Sequence, residues 1–378
     1  MSLTNSSNSA VNKDTATSTD RPEPLDRVNS IAPYQQGKSA IKGRSSVIKL
    51  SSNEGCFGPS PAAVVAYKKI ADELHRYPDG SQTSLREALG EVHGLAPDRI
   101  LCGNGSEEII GLLMRCYVGE GDELILSENH FVMCSIYGKA QGAKIVLAPE
   151  IDFTTSVDEI LQCISPKTRM IALANPNNPT GTYVTAREIE RLIQAVPKDI
   201  LILLDGAYAE FVEAGDFDAG DQWVESSENV VMTRTFSKMY GLAGLRVGWA
   251  YGPPAIIEVL NRIRTPFNTN ICALAAAEAA VRDNDHVRRV IEHNTCWQNR
   301  FRAELGSLGI FVVPSVTNFY LMHFEDLPGK SANEAGEYLQ EQGIIPRPAS
   351  DDRCLRLTVG NDEENEAVLR VLTAYVAE

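Results

Sequence analysis

The sequence predicts an α/β fold, with a mostly parallel central sheet between helices and a smaller α+β region after it. Three observations carry this prediction. Short apolar runs recur through the first two thirds of the chain, and helical patterns separate them. Continuous apolar strands that alternate with helices indicate parallel strands covered on both faces. From Asp283 onward a long polar helix leaves this unit, and further strands and a closing helix follow it.

Two helical patterns come before this alternation. The segment 47–50 is expected to form a short strand, and Pro61 suits the first turn of a helix that ends before the turn sequence 77–80. The apolar side of that helix consists of Val64, Tyr67, Ala71 and Leu74. A second helix repeats Leu85, Ala88, Leu89 and Val92 at helical spacing and is closed by Gly94.

The remaining elements suggest how the chain divides into domains. Strands of the alternating region are expected at 99–102, 123–126, 144–147, 170–173, 200–204 and 230–232. Later strands are expected at 311–313, 319–322 and 355–358, followed by a helix with Val368, Val371, Leu372 and Tyr375 on one face. We therefore predict a disordered tail over residues 1–23, a large domain over 57–283, and a small domain formed by 24–56 and 284–378.

Composition excludes several classes of function. The chain has 378 residues, 43% of them hydrophobic, and its net charge of -15 argues against nucleic acid or an anionic membrane as a partner. Its eight cysteines are scattered and its six histidines show no ligand spacing, so we expect reduced thiols and no metal site. The sequence has neither a secretory signal nor an apolar run that could span a bilayer, which predicts a cytoplasmic protein.

A set of mostly polar residues, with one glycine and one phenylalanine, follows the ends of successive predicted strands. Ligands bind beyond the carboxyl ends of the strands in an open parallel sheet, so we expect these residues to lie together. They are Gly105, Ser106, Glu107, Phe131, Asn178, Asp205, Tyr208, Thr235, Ser237, Lys238 and Arg246. Each one alone is also explained as a turn, a helix cap or a core residue. Together they supply an amine, a carboxylate, an aromatic ring and a helix N-terminus suited to phosphate.

This combination suits a phosphorylated pyridine aldehyde held covalently by the lysine amine. Burial beyond a strand end lowers the pKa of a lysine, so that Lys238 can act as a nucleophile and later move a proton. Asp205 would keep the pyridine nitrogen protonated, and Phe131 would stack on the ring. Asn178 and Tyr208 would contact the ring hydroxyl. The phosphate would be held by Ser237, Arg246 and the backbone N–H groups of Ser106 and Glu107.

Three stretches resemble the fold-type I pyridoxal-phosphate aminotransferases, most closely the histidinol-phosphate aminotransferase group. They are residues 175–181, 234–248 and 354–360, and the resemblance runs from about Ile31 to the C-terminus. It implies pyridoxal 5'-phosphate as the cofactor and Lys238 as the residue that carries it. It also implies transfer of an amino group between L-histidinol phosphate and 2-oxoglutarate, which yields imidazole-acetol phosphate and L-glutamate in histidine biosynthesis.

The same resemblance assigns residues to the substrate and to a second subunit. Tyr77 matches a tyrosine that reaches the cofactor phosphate of the neighbouring subunit, so a homodimer is expected. Arg356 matches the arginine that binds the carboxylate of amino and keto acids. Tyr34, Asn178 and Arg347 match positions at the substrate end. The expected partners are thus a small-molecule amino donor and a keto acid.

Some positions depart from the family pattern, and other functions stay open. Gly206 stands where Glu is common, Cys134 where Tyr is common, and Gly55-Cys56 where Asn-Pro is usual. None of these removes a catalytic group. The Cys134 and Gly55 departures are expected near the substrate mouth, so they bear on the identity of the substrate. The alternatives are a tyrosine or phenylalanine aminotransferase and a related phospho-amino-acid decarboxylase. A cofactor-binding regulator of transcription is disfavoured by the acidic charge.

Overall fold

The structure, a computed structural model, describes residues 22–325, 327, 329–349 and 351–378. Apart from its last two residues, the tail predicted over 1–23 lies outside the described residues. The helices are α1 (Asp26–Asn29), α2 (Pro61–Lys69), α3 (Thr83–His93), α4 (Ser106–Tyr117), α5 (Val132–Gln141), α6 (Val157–Gln162), α7 (Ala186–Ala195), α8 (Asp221–Ser226), α9 (Pro254–Ile263), α10 (Ile271–Val281), α11 (Asn284–Ser307), α12 (Ala332–Glu341) and α13 (Asp362–Ala377).

The strands are β1 (Ile48–Lys49), β2 (Ile100–Gly103), β3 (Glu123–Ser127), β4 (Lys144–Ala148), β5 (Glu150–Ile151), β6 (Thr154–Thr155), β7 (Thr168–Ala174), β8 (Leu201–Asp205), β9 (Val230–Thr235), β10 (Gly248–Tyr251), β11 (Phe311–Val312), β12 (Phe319–His323), β13 (Ile344–Ile345), β14 (Arg347–Pro348) and β15 (Cys354–Thr358). Short 3₁₀ turns cover Ala71–Glu73, Pro97–Arg99, Ala209–Phe211 and Ala243–Leu245.

The central sheet has seven strands within the described part of the chain, in the order β2-β10-β9-β8-β7-β3-β4. Strand β10 runs antiparallel to β2 and β9, and the pairs from β9 through β4 are parallel. The predicted α/β fold with a mostly parallel sheet is confirmed. Strand β10 is not among the expected strands, because its four residues follow directly on a glycine-rich loop.

Successive residues of the central strands pack into hydrophobic clusters on opposite faces of the sheet. In β8, Ile202 and Leu204 belong to one cluster, while Leu201 and Leu203 belong to the other. Both clusters are covered by helices, which explains why these strands are apolar at every position. The polar residues of the strands are therefore confined to their ends, where Asp205 closes β8.

A second, antiparallel sheet has the order β11-β12-β15-β14 and packs against α11, α12 and α13. The N-terminal chain joins this region, since β1 pairs in parallel with β13. Helix α11 begins after Asp283, whose side chain accepts a hydrogen bond from the His286 backbone N–H. The proposed domain limits at 24–56, 57–283 and 284–378 stay predictions.

Helix α2 is shorter than the predicted helix, and much of the apolar side of the predicted helix is exposed. It ends at Lys69, and Tyr67 and Leu74 are 45% and 64% exposed. Ala63 is instead the residue that packs into the core, together with Ala273 of α10. Among the described residues, no helix combines the length and the apolar character that a bilayer span requires.

Candidate active site

A cavity of about 740 Å³ opens at the carboxyl ends of β7, β8 and β9. One wall, here called the strand-end wall, contains the strand ends with Asp205 and Lys238 and the start of α4. The opposite wall is formed by residues 31–37, 51–54 and 347–349 and by Arg356. Predicted site residues that line the cavity are Tyr34, Ser106, Glu107, Phe131, Asn178, Asp205, Tyr208, Thr235, Ser237, Lys238, Arg246, Arg347 and Arg356.

Lys238 lies just beyond β9, with its amine below the surface of the cavity. Its Nζ donates a hydrogen bond to the Ser52 carbonyl oxygen at 3.0 Å. Burial, and then the positive charge of Arg356, lower its pKa from 10.5 to about 7. A large fraction of the amines is thus neutral near pH 7, which makes Lys238 a nucleophile.

Asp205 closes β8 and is 6% exposed. Its Oδ1 accepts a hydrogen bond of 2.9 Å from Thr233 Oγ1. Burial raises its pKa to about 6, although the hydrogen bond from Thr233 and the charge of Lys238 act in the opposite direction. A cationic group placed against this carboxylate would favour its ionised form and would itself be held charged.

The N-terminus of α4 presents backbone N–H donors beside a guanidinium group. Gly105 precedes the helix with a φ of 84°, and no side chain caps its first turn. Arg246 donates from Nη1 to Ser237 Oγ at 3.2 Å, and its Nη2 lies 3.7 Å from Glu107 Oε2. A Cβ atom on Gly105 would lie 2.6 Å from Arg246 Nη2, so a side chain there would displace this guanidinium group. Helix N–H groups with an arginine make a phosphate site.

Hydroxyl groups continue this part of the strand-end wall. Thr235 Oγ1 donates to Ser237 Oγ at 3.0 Å and accepts from the Ser237 backbone N–H at 3.1 Å. Phe131 stands at the N-cap of α5, partly buried beside the cavity. The Glu107 carboxylate points to Tyr137, whose hydroxyl donates to it at 2.9 Å.

Arg356 lies in the opposite wall and is 8% exposed. It donates from Nη1 to Asn178 Oδ1, and from Nη2 to the Ser51 carbonyl oxygen at 3.2 Å. Its buried Nε has no hydrogen-bond partner among the residues that the structure describes. Burial lowers its pKa. A buried guanidinium with an unused donor is suited to a carboxylate ligand.

A second arginine stands nearer the cavity mouth. The Arg347 guanidinium lies 5.6 Å from the centre of the Tyr34 ring and donates from Nη2 to the Gln35 carbonyl oxygen at 2.9 Å. Arg347 and Arg356 are paired in register on β14 and β15. The cavity thus holds arginines at both ends, Arg246 at one and this pair at the other.

Comparisons with known proteins agree with this geometry. The aminotransferase class I and II family model matches residues 45–372. The chain belongs to the class I and II aminotransferases. Histidinol-phosphate aminotransferase of Rhodopseudomonas palustris strain HaA2 is 47% identical over 362 residues, 94% of this chain and 99% of that protein. The enzyme of the same name from Paramagnetospirillum magneticum is 47% identical over 358 residues, again 94% and 99%.

A solved aminotransferase shares the fold over nearly the whole chain. The crystal structure of histidinol-phosphate aminotransferase from Sinorhizobium meliloti in complex with pyridoxal-5'-phosphate has a TM-score of 0.86 and 27% sequence identity. It covers 96% of this chain and 99% of its own. The predicted membership of the aminotransferase family is therefore confirmed. The roles assigned to individual site residues stay predictions.

Two predicted site residues do not line the cavity: Gly105, which directly precedes α4, and Tyr77, which stands apart from it. Tyr77 is 81% exposed and stacks on Phe267, with ring centres 4.6 Å apart. Phe267 is itself 47% exposed. Such an exposed aromatic pair is available to a second molecule.

The sequence-based prediction missed Ser51, Ser52 and Asn53, which bring the opposite wall to the catalytic residues. Asn53 donates from Nδ2 to the Tyr208 hydroxyl oxygen at 2.8 Å. Asn53 lies two residues before the departing pair Gly55-Cys56. Its contact with a residue 155 positions away leaves no local signal in the sequence.

The positions that depart from the usual aminotransferase pattern are tightly packed. A Cβ atom on Gly55 would lie 2.9 Å from the Lys238 carbonyl oxygen, and one on Gly206 would lie 3.3 Å from the Thr233 carbonyl oxygen. Cys134 is 6% exposed within the core, where burial raises the pKa of its thiol. In the described residues all eight cysteines are free thiols.

Proposed function

We propose that this protein is a pyridoxal-phosphate-dependent transaminase. It would transfer an amino group reversibly between L-histidinol phosphate and 2-oxoglutarate, with imidazole-acetol phosphate and L-glutamate as the products. This reaction belongs to histidine biosynthesis. The observation that carries the proposal is the cavity itself. It holds a buried lysine with a pKa of about 7, a buried carboxylate and an uncapped helix N-terminus, with arginines at its two ends. The names of the relatives at 47% identity support the substrate.

The residues present fit the cofactor. The uncapped N–H groups of α4, Ser237 and Arg246 would hold its phosphate, and Asp205 would pair with its ring nitrogen. Thr235 lies beside this phosphate site, and Phe131 would cover the ring. When bound, the cofactor supplies an electron-withdrawing ring that stabilises the negative charge left when the substrate Cα loses its proton.

Lys238 has two tasks in this proposal. Its neutral amine carries the cofactor, and burial ensures that the neutral form is available near pH 7. Once the substrate amine has taken its place, the freed Lys238 amine would remove the proton from the substrate Cα. It would then deliver this proton to the cofactor. Asp205 keeps the ring cationic through this step, because its charge is fixed in a site with little water.

The opposite wall would recognise the two substrates. Arg356 is suited to the carboxylate of glutamate and 2-oxoglutarate because its buried Nε lacks a partner. Arg347, with Tyr34 beside it, is nearer the mouth and is suited to the phosphate of histidinol phosphate. Planar guanidinium groups bind both anions, so one pocket can serve both halves of the reaction.

We also propose a homodimer in the cytoplasm, in which Tyr77 reaches the cofactor phosphate of the neighbouring subunit. The exposed aromatic pair of Tyr77 and Phe267 supports it, as do the exposed apolar residues Tyr67 and Leu74. Mixing inactive Lys238→Ala with a weakened Tyr77→Ala variant tests the arrangement. If Tyr77 acts on the neighbouring site, hybrids contain one intact site and activity rises above that of either variant. Activity that stays at the sum of the two variants contradicts it.

The proposed function is tested by the first half of the reaction. Purified, cofactor-loaded protein is mixed separately with glutamate, histidinol phosphate, phenylalanine and tyrosine, and the visible absorbance of the lysine-bound cofactor is followed. We expect fast loss of absorbance with glutamate and histidinol phosphate and slow loss with the aromatic amino acids. Fast reaction with the aromatic amino acids and none with histidinol phosphate would replace the proposal with the aromatic aminotransferase. Release of carbon dioxide without keto acid would favour the decarboxylase.

A further inference from the structure

We propose that Asn53 is a positioning residue of this site, which directs the hydroxyl hydrogen of Tyr208 into the cavity. Its side-chain amide donates to the Tyr208 oxygen at 2.8 Å. The phenol then has its own hydrogen left to donate, and Tyr208 lines the cavity. The inference rests on the proposed function, because it assigns Tyr208 a partner inside the cofactor site.

Asn53 is held from several sides, so its amide has little freedom to turn. Its backbone N–H donates to Thr358 Oγ1 at 2.9 Å, and its carbonyl oxygen accepts from Asn318 Nδ2 at 3.0 Å. Thr358 Oγ1 lies 3.2 Å from Asn53 Oδ1 and 2.9 Å from the Leu50 carbonyl oxygen, so two acceptors share its one hydroxyl hydrogen. The residue is 1% exposed and adopts a φ of 56°, a left-handed conformation that asparagine tolerates better than most residues.

The Asn53 amide presents its Nδ2 to the Tyr208 hydroxyl oxygen and its Oδ1 to Thr358. Tyr208 is itself 3% exposed, and its ring packs edge-on against Phe319 at 5.1 Å. With the ring fixed and its oxygen already accepting, the O–H bond is left to point toward the cavity.

The segment 51–53 also contacts the other two principal residues of the site. The Ser51 carbonyl oxygen accepts from Arg356, and the Ser52 carbonyl oxygen accepts from Lys238. Three consecutive residues thus contact Arg356, Lys238 and Tyr208 in turn. The segment is itself anchored to β15 through Thr358. The position of Tyr208 therefore depends on the four-stranded antiparallel sheet that contains β15.

The direction of the Tyr208 hydrogen has a measurable consequence. A phenol that donates to the lysine-bound cofactor stabilises the cofactor's more negative, deprotonated form and so lowers its pKa. This pKa is measured from the visible absorbance and is here called the absorbance pKa. Burial raises the pKa of Tyr208 to about 12, and the hydrogen bond from Asn53 opposes that rise, which keeps the phenol a better donor. Losing the Asn53 donor should therefore raise the absorbance pKa.

Two substitutions at this position separate polarity from packing. Asn53→Asp keeps the shape but accepts the phenol hydrogen, so Tyr208 no longer donates into the cavity. Asn53→Gly suits the φ of 56° and removes the side chain. We expect an absorbance pKa about one unit higher in Asn53→Asp, a smaller rise in Asn53→Gly, and kcat/KM lower by about tenfold in Asn53→Asp.

The decisive comparison is made in a Tyr208→Phe background. If Asn53 acts through Tyr208, Asn53→Asp adds nothing to the absorbance pKa or to the cofactor Kd of Tyr208→Phe. Asn229→Asp is the matched control, because Asn229 is also buried and donates to a carbonyl oxygen at 2.8 Å, at the far end of β9. It should change the Tm without changing the absorbance pKa.

The possible outcomes separate this inference from the proposed function. An unchanged absorbance pKa in Asn53→Asp, or full additivity with Tyr208→Phe, overturns the role of Asn53. The titration needs no amino substrate, so it is informative whether or not histidinol phosphate reacts. Wild-type protein that reacts with neither glutamate nor histidinol phosphate overturns the proposed function instead.

Discussion

The two walls of the cavity are built in different ways. The strand-end wall takes Asp205 and Lys238 from the ends of neighbouring parallel strands, each within a few residues of an apolar run. The opposite wall brings Asn53 against Thr358, 305 residues away, and Tyr34 against Arg347. The first wall carries the groups proposed for chemistry, and the second carries those proposed for recognition. Substrate identity can therefore change through the opposite wall while the strand-end wall stays the same.

The charges on the two walls follow the same division. Lys238 and Arg356 are both buried cations whose pKa values are lowered chiefly by burial. Lysine can respond by losing its proton, while arginine stays charged. Burial thus gives a nucleophile on one wall and an anion-binding charge on the other.

The largest effect is expected from removing the amine of the strand-end wall. Lys238→Ala should lower kcat by at least about ten thousandfold, because both covalent binding of the cofactor and proton transfer are lost. Its fold should survive, since the amine lies in a cavity and not in the core. Steady-state turnover with glutamate, together with thermal unfolding of the cofactor-free protein, checks both points. Wild-type turnover in this variant would remove Lys238 from the centre of the site.

A smaller loss is expected from the carboxylate of the same wall. Asp205→Asn keeps the shape but not the charge, so proton removal from the substrate should slow on the order of a thousandfold. Single-turnover absorbance changes with glutamate measure this step, and the cofactor Kd is measured separately. Asp216→Asn, an exposed carboxylate that accepts from Tyr183, is the control and should leave the rate unchanged. An equal rate in both variants would mean that Asp205 does not stabilise the charged ring.

On the opposite wall, Arg356→Gln should impair the glutamate half of the reaction in both directions. It removes the buried guanidinium proposed to bind every substrate carboxylate, so kcat/KM for glutamate should fall about a hundredfold. Arg356→Lys should restore only part of this loss, because an ammonium cannot replace the planar fork. Half-reaction rates with glutamate and 2-oxoglutarate provide the measurement. A loss confined to one of the two substrates would contradict the shared role.

The lowered pKa of Lys238 predicts that stability depends on pH. Burying the charged amine destabilises the cofactor-free fold, and this cost is fully present below about pH 7. Between pH 7 and 10.5 the unfolded chain binds more protons, so stability rises with pH. Cofactor-free Lys238→Ala should therefore exceed wild type in Tm most at low pH, and the difference should shrink toward pH 10.5. A difference independent of pH would show that the amine is not desolvated.

The sequence predicts the strand-end wall well because its signals are local. A buried strand ends where polar residues begin, and the parallel sheet brings those ends together, as at Asp205 and Lys238. The opposite wall leaves no such signal, since Asn53 meets Tyr208 and Thr358 only after folding. Here the family resemblance supplied Tyr34, Arg347 and Arg356, while Asn53 was missed.

The other differences between prediction and structure also come from tertiary contacts. Strand β10 forms because its backbone completes the hydrogen bonding between β2 and β9, which no pattern of four residues reveals. The predicted helix ends early, at Lys69, and Tyr67 and Leu74 of its apolar side are exposed. Periodicity indicates that a face is apolar, but it does not say which surface covers it.

The division between the two walls is tested most directly by substituting Arg347. Half-reaction rates with histidinol phosphate, with histidinol and with glutamate are compared between wild type and Arg347→Gln. We predict that wild type strongly prefers the phosphorylated substrate and that Arg347→Gln loses most of this preference, while its rate with glutamate changes less than about twofold. A variant that keeps the preference, or that loses glutamate and histidinol phosphate equally, would contradict the assignment of recognition to the opposite wall.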